Sequence, residues 1–242
     1  MFGSSLRAVL FDVDGTLYHQ KPLQGLMAFE LCSLPATLKS WRLAISTVQT
    51  LRCFRSARED LRRIGNPEDY LLLELQYRKA SERAGVEPTD VERVVSEWIY
   101  RRPLKYLPYC RRRGIEAFLS DVGRKGLRIG VFSDYPVRAK LQALGLTNQV
   151  DLMLCSTDKE VNAFKPHPRG FLHACKYWEL RPEEVRYVGD RPEVDAKGAV
   201  AAGMPCAILA ELGSGWGRLH SSDQHVMVPS FRRLQQILTT GC

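Results

Sequence analysis

The stretch Ala8-Val9-Leu10-Phe11-Asp12-Val13-Asp14-Gly15-Thr16-Leu17 constrains this chain more than any other. Leu6 to Phe11 is short, branched and apolar, the pattern of a buried strand. Asp12 stands where that strand ends. In an open parallel sheet, ligands bind outside the carboxyl ends of the strands, so chemistry is expected at this point. Val13 separates Asp12 from Asp14. In extended backbone alternate residues face the same way, so both carboxylates can address one ligand. Gly15 lets the chain turn sharply. Taken alone, Asp-Gly is also an ordinary turn dipeptide, and the rest of the chain has to decide.

Residues 18–108 follow a different grammar from what flanks them. Leu23, Leu26 and Met27, then the apolar runs near 43–54 and 70–75, recur at helical spacing. Pro88-Thr89-Asp90 before Val91, Val94, Val95 and Trp98 reads as a capped helix start with an apolar face. No convincing strand interrupts this segment, so it predicts an all-helical insertion.

From Gly114 helices and strands alternate. Strands are expected over 127–132, 150–155, 185–188 and 206–209. Helices are expected after Gly114, over 137–144, through Phe171 to Trp178, over 196–202 and over 231–238. Residues 211–224 are rich in Gly and Ser and carry no clear pattern. Such alternation predicts an α/β fold, a doubly wound parallel sheet covered on both faces. Residues 1–17 and 109–242 would form a Rossmann-like core domain, and 18–108 the inserted helical domain.

The net charge is +8 in 242 residues, and residues 18–113 carry 18 Lys/Arg against 11 Asp/Glu. The basic excess therefore belongs to that one segment. Its arginines alternate with acids and leucines without an aromatic-rich basic stripe. This favours a solvated helical surface or an anionic small ligand over nucleic acid. No apolar stretch is long enough to cross a bilayer, and no signal peptide is expected at the N-terminus. Seven scattered cysteines without a CxxC pair suit reduced thiols in a cytoplasmic protein.

Four polar clusters follow strand ends: Asp12 with Asp14, Ser133, Lys165, and Asp190 with Asp195. A doubly wound sheet delivers such ends to one crevice. Four carboxylates, a hydroxyl and an ammonium there would favour Mg²⁺, a hard ion that shares oxygen ligands with a substrate phosphate.

These clusters resemble the haloacid dehalogenase-like hydrolases, in the branch with a helical cap inserted after the first motif, as in phosphoglycolate phosphatase-like members. The residues that carry the likeness are Asp12-Val13-Asp14-Gly15-Thr16, Ser133 after Gly130-Val131-Phe132, Lys165-Pro166, and Gly189-Asp190-Arg191-Pro192-Glu193-Val194-Asp195. Lys140 to Leu146 and Gly198 to Met204 support it. The resemblance implies a phosphatase acting on a small phosphorylated metabolite through an aspartyl-phosphate. Asp12 would be the nucleophile. Asp14 would be the acid and then the base, a duty that suits a raised carboxyl pKa. Ser133, Asp134 and Lys165 would bind the phosphate. Asp12, Asp190 and the backbone carbonyl of Asp14 would hold Mg²⁺, with Asp195 supporting the metal as a ligand through water or from behind.

Asp134 departs from the family pattern. A carboxylate beside a phosphate is unfavourable unless it points away or meets a cation. Near the hinge, Tyr18, His19, Gln20 and Lys21 are candidates to face the substrate. Arg55, Arg58, Arg62 and Arg63 either bind a second anionic group or form an exposed helix surface. A phosphomutase, a dehalogenase and a non-catalytic binding protein are the alternatives on the same fold. The dehalogenase branch, as the resemblance implies, lacks the acid at the position of Asp14. A homodimer is compatible with the sequence, whereas neither a membrane nor nucleic acid is an expected partner.

Overall fold

The strand β1 (Ala8–Phe11) is buried along its whole length at the middle of a parallel sheet. The computed structural model describes residues 6–33, 38–65, 70–209 and 225–240. After β1 the chain enters α1 (Gln20–Cys32), α2 (Leu38–Ile64), α3 (Leu72–Ala84) and α4 (Pro88–Val95). A π-helical turn (Ser96–Arg101) and a 3-10 turn (Arg102–Tyr106) lead back through α5 (Leu107–Cys110) and α6 (Ile115–Arg124). Then come β2 (Arg128–Ser133), α7 (Arg138–Leu144), β3 (Leu152–Cys155), α8 (Arg169–Trp178) and β4 (Val185–Gly189). A second π-helical turn (Pro192–Ala196) runs into α9 (Lys197–Ala201). The chain continues through β5 (Cys206–Leu209), β6 (His225–Val228) and α10 (Phe231–Thr240).

The strand order is β3-β2-β1-β4-β5-β6, and every pair is parallel. This is the doubly wound architecture expected. The reason lies in side-chain alternation along each strand. On one face, Val9 and Phe11 join Ile115, Phe118 and Leu141 with Phe231 and Leu234 of α10. On the other, Ala8 and Leu10 join Phe132, Phe171, Trp178 and Ala199. A strand apolar on both faces has to be covered twice, and the two helical layers do this.

Helices α2, α3 and α4 pack on each other around Phe54, Ala57, Tyr77, Ala80, Val91 and Val95. Phe54 and Tyr77 stack with ring centroids 5.5 Å apart. Among the described residues between β1 and β2 there is no strand beyond two isolated bridges of Tyr18, to Asp14 and to Arg111. None of the described helices is long and apolar enough to cross a membrane. Cys32, Cys53, Cys110, Cys155, Cys175 and Cys206 are free thiols.

Three local expectations are corrected. Helix α4 begins at Pro88 with no side-chain cap; proline at the first helical position supplies a preset φ instead. The helix expected over 196–202 is α9, but Ala196 ends a π-helical turn that was not expected ahead of it. Strand β6 was not expected, because it begins with a histidine and only its last residue is fully buried, so it lacks the continuous apolar run of the inner strands. The Gly/Ser-rich stretch 211–224 lies outside the described residues.

Helix α8 approaches the sheet closely because Gly170 has no side chain. A Cβ there would lie 2.1 Å from Phe132 Cζ, a ring wedged edge-on against Phe171. Gly170→Ala is expected to cost about 1–3 kcal/mol through overpacking. That should lower the melting temperature by about 2–12 °C in a thermal scan.

Candidate active site

Because β1 lies between β2 and β4, the residues after these three strands share one crevice. Asp12 extends β1 by one step, its N–H donating to the Val188 carbonyl at 2.8 Å. Ser133 ends β2, and Asp190 follows β4. Lys165 arrives from the segment between β3 and α8. Its ammonium uses all three donors, to Asp12 Oδ1 at 2.6 Å, Asp195 Oδ1 at 2.6 Å and the Tyr187 hydroxyl at 3.0 Å. Burial opposes this charge, yet Asp12, Asp195 and Asp134 hold it well above the usual lysine value.

Asp12, Asp190 and Asp195 each bring a carboxylate oxygen within 4.8 Å of the others. Burial pushes Asp12 well above the usual carboxylate range; Lys165 opposes that, and the neighbouring carboxylates add to it. Burial and Asp195 push Asp190 up to about 7. Two observations show that these residues fit a cation. Asp190 Oδ1 is buried with no hydrogen-bond partner. Gly15, at φ +96°, leaves open the space beside it: a Cβ there would fall 2.1 Å from Asp190 Oδ2. A divalent cation suits this acidic set. Asp195 stands behind the others. Its Oδ2 accepts from the backbone N–H groups of Asp190 and Arg191, and its Oδ1 from Lys165 and Tyr187.

The side chain of Asp14 lies apart from this acidic triad. Its Oδ1 accepts from Lys140 Nζ and from the Tyr18 hydroxyl, and its Oδ2 from Ser133 Oγ at 3.0 Å. Any metal contact from Asp14 is therefore left to its backbone carbonyl. The raised carboxyl expected from the sequence is corrected here. Burial pushes it up, but the Lys140 ammonium and the three hydrogen bonds hold it below its ordinary value. Arg112 fixes the turn from beneath, with two donors on the Gly15 carbonyl at 3.0 and 2.8 Å.

Asp134 is placed differently from the phosphate-binding role expected of it. Its Oδ1 accepts from Ser156 Oγ at 2.6 Å and from the Lys165 N–H at 3.2 Å. Its Oδ2 pairs with Arg62 at 2.9 Å. Burial resists the charge, but Lys165, Arg62 and Arg58 bring this carboxyl down to about 2. A carboxylate with both oxygens engaged cannot grip a phosphate; it anchors the surrounding cations instead.

Those cations come from α2. Arg58 is buried, donates to the Asp134 carbonyl at 2.7 Å, and lies between the rings of Tyr135 and Phe164 at 4.1 and 4.2 Å. Arg62 also donates to the Lys165 carbonyl. The exposed-surface alternative therefore fails for Arg58 and Arg62 and holds for Arg63, which is 75% exposed beside Asp60. A second tie joins α3 to the segment between β3 and α8. The Leu72 N–H at the start of α3 donates to Asn162 Oδ1 at 2.7 Å, and Asn162 Nδ2 donates to the Tyr70 carbonyl at 3.1 Å.

A cavity of about 340 Å³ lies over Asp12, Asp14, Ser133 and Lys165, with Arg55, Arg58 and Arg62 on its α2 side. Of the four hinge candidates, Gln20 lines this cavity and an adjoining one, and Tyr18 lines the adjoining one. The backbone N–H of His19 donates to the Cys110 carbonyl, and Lys21 is exposed. The sequence reading missed Lys140 and Arg112 as site residues, and Tyr187. One signal existed for Lys140: a lysine in the first turn of α7 opposes the helix dipole, which asks for an anionic partner.

The family model described as haloacid dehalogenase-like hydrolase matches residues 6–203. A phosphoserine phosphatase from Thermus thermophilus is 35% identical over 131 residues, covering 53% of this chain and 50% of that protein. The chain thus spans about half the length of that relative. A glyceraldehyde 3-phosphate phosphatase from Methanopyrus kandleri is 27% identical over 210 residues, 82% of each chain. The fold matches an L-2-haloacid dehalogenase structure from Xanthobacter autotrophicus with a TM-score of 0.65 at 16% identity, covering 97% of this chain and 99% of that one.

Asp134 gives a stability prediction. Its carboxyl falls from 3.8 unfolded to about 2 folded. A depressed carboxyl adds stability that is fully present above pH 4 and is lost as pH falls towards 2. Asp134→Asn is expected to cost about 2 kcal/mol at pH 7. In chemical denaturation, the gap from wild type should narrow progressively below pH 4.

Proposed function

The chain belongs to the haloacid dehalogenase-like hydrolases, and we propose that it is a Mg²⁺-dependent phosphatase that cleaves phosphomonoesters through an aspartyl-phosphate. One observation carries this reading: Asp12 lies against the Lys165 ammonium, within 4.8 Å of Asp190 and Asp195. The phosphatase relatives supply the leaving-group class, an alcohol from a phosphate ester. In this reading residues 18–108 are a cap over a core of 1–17 and 109–242.

Asp12 attacks phosphorus in line with the ester oxygen. The new bond is Asp12 O–P, and the P–O bond to the alcohol breaks. The departing oxygen takes a proton from Asp14. At rest that carboxyl is held ionised by Lys140; the arriving phosphate dianion raises it by like-charge repulsion, so that it takes a proton from solvent and can then act as the acid. In the second half Asp14 takes a proton from water, whose oxygen attacks phosphorus. The Asp12 O–P bond breaks and inorganic phosphate leaves. Ser133 turns its hydroxyl from Asp14 to a phosphoryl oxygen, and the Lys165 ammonium, kept in place by Asp195 and Tyr187, neutralises charge on Asp12 and the phosphoryl group. Mg²⁺, held by Asp12, Asp190 and the Asp14 carbonyl, would neutralise charge on the phosphate and the carboxylates. Most of the catalytic effect is positioning plus charge neutralisation.

Phosphate release from p-nitrophenyl phosphate with Mg²⁺ tests the proposal. EDTA should abolish it and added Mg²⁺ restore it. Asp12→Asn should remove turnover with the circular dichroism spectrum unchanged, because an amide cannot attack. Asp14→Asn should slow turnover by about 10²–10⁴-fold, the usual weight of a general acid–base group. Wild-type rates in Asp12→Asn would end the assignment.

A further inference from the structure

Beside the site cavity lies a larger one of about 550 Å³, bounded by α1, α2, the π-helical turn 96–101 and the core. The two share Asp14, Gln20, Arg55 and Tyr135. In an in-line displacement the leaving alcohol exits on the side away from the nucleophile, where its acid stands. Asp14 faces both cavities, so the alcohol is directed into the larger one. That space equals on the order of eighteen waters at ~30 Å³ each. An alcohol of two or three carbons leaves most of it unfilled.

The walls are mainly apolar: Leu23, Met27 and Leu31 from α1, Trp98 and Ile99 from the turn, and Leu107. Asp14 and Lys140, paired with each other, bring charge on the side of the site, and further charge comes from α2. Arg52 and Arg55, one turn apart on α2, line the cavity and are exposed. They make no ion pair among the described residues, whereas Arg58, Arg62 and Arg63 farther along the same helix are all engaged. An apolar chamber with a few placed polar groups is the form of a site for a sizeable organic ligand.

Building on the phosphatase reading, we propose that the ester this protein cleaves carries a long, mostly apolar alcohol with an anionic group that reaches the α2 wall of the chamber. The apolar stem lies along Leu23, Met27 and Trp98, and the anion meets Arg52 and Arg55.

Primary alkyl phosphates from ethyl to hexyl, each ending in methyl or in carboxylate, test this with leaving alcohols of similar acidity. The value of kcat/KM for phosphate release should rise about three- to fourfold per methylene. The carboxylate-ended hexyl ester should exceed the methyl-ended one. Ala28→Trp, which fills the chamber from α1, should flatten the length dependence. The double variant Arg52→Ala/Arg55→Ala should bring the ratio of carboxylate-ended to methyl-ended ester towards one. Ethyl phosphate turned over as well as hexyl phosphate would overturn the proposal. If no ester releases phosphate, the phosphatase reading falls on its own. Calorimetric binding of the same esters to Asp12→Asn then decides the chamber: affinity that grows with chain length supports it, and affinity independent of length rejects it.

Discussion

The ammonium of Lys165 is the charge on which the site depends. It is buried, yet it spends every proton on Asp12, Asp195 and Tyr187. Removing a lone ammonium from water is costly, and so is removing a carboxylate; each becomes tolerable only with the other in contact. This single contact point therefore ties together the end of β1, the segment after β3 and the turn after β4. The sheet topology makes the meeting possible, because β1 is the switch point: the chain runs outward from it through β2 and β3, then crosses back to lay β4 on its other side.

A second set of charges repeats this logic between α2 and the turn after β2. Asp134 would be a liability near a phosphate if it were idle. It is fully occupied by Arg62, Ser156 and the Lys165 backbone, and Arg58 reaches the carbonyl of the same residue. The guanidinium of Arg58 also stacks between two rings, a use that lysine could not copy. The residue that departs from the family pattern is thus the receptor for the arginines of α2.

Much of this was legible from residues 6–17. A strand buried on both faces requires helices above and below, and acids at its end require a ligand. The later strands, each an apolar run ending in Ser133, Cys155 or Gly189, followed the same logic. Contacts between remote segments were less legible. Lys140 stands 126 positions from Asp14, and nothing local in the sequence pairs them. Arg58 and Arg62 have the spacing of a solvated helix face, and only the approach of α2 to Asp134 and Phe164 buries them. Tyr187 reads as one more apolar strand residue until Lys165 finds its hydroxyl. Strand β6 is too thinly covered at the sheet edge to carry the apolar run that marks the inner strands.

Helix α3 has no side-chain cap of its own, since Leu71 occupies the capping position. The oxygen that serves its first turn belongs to Asn162, a residue of the core held at φ +42°. Such a cap is worth about 0.5–2 kcal/mol to a helix. Lifting α3 from the core would therefore fray its amino end, and amide hydrogen exchange at Leu72 would report how far the two parts have separated.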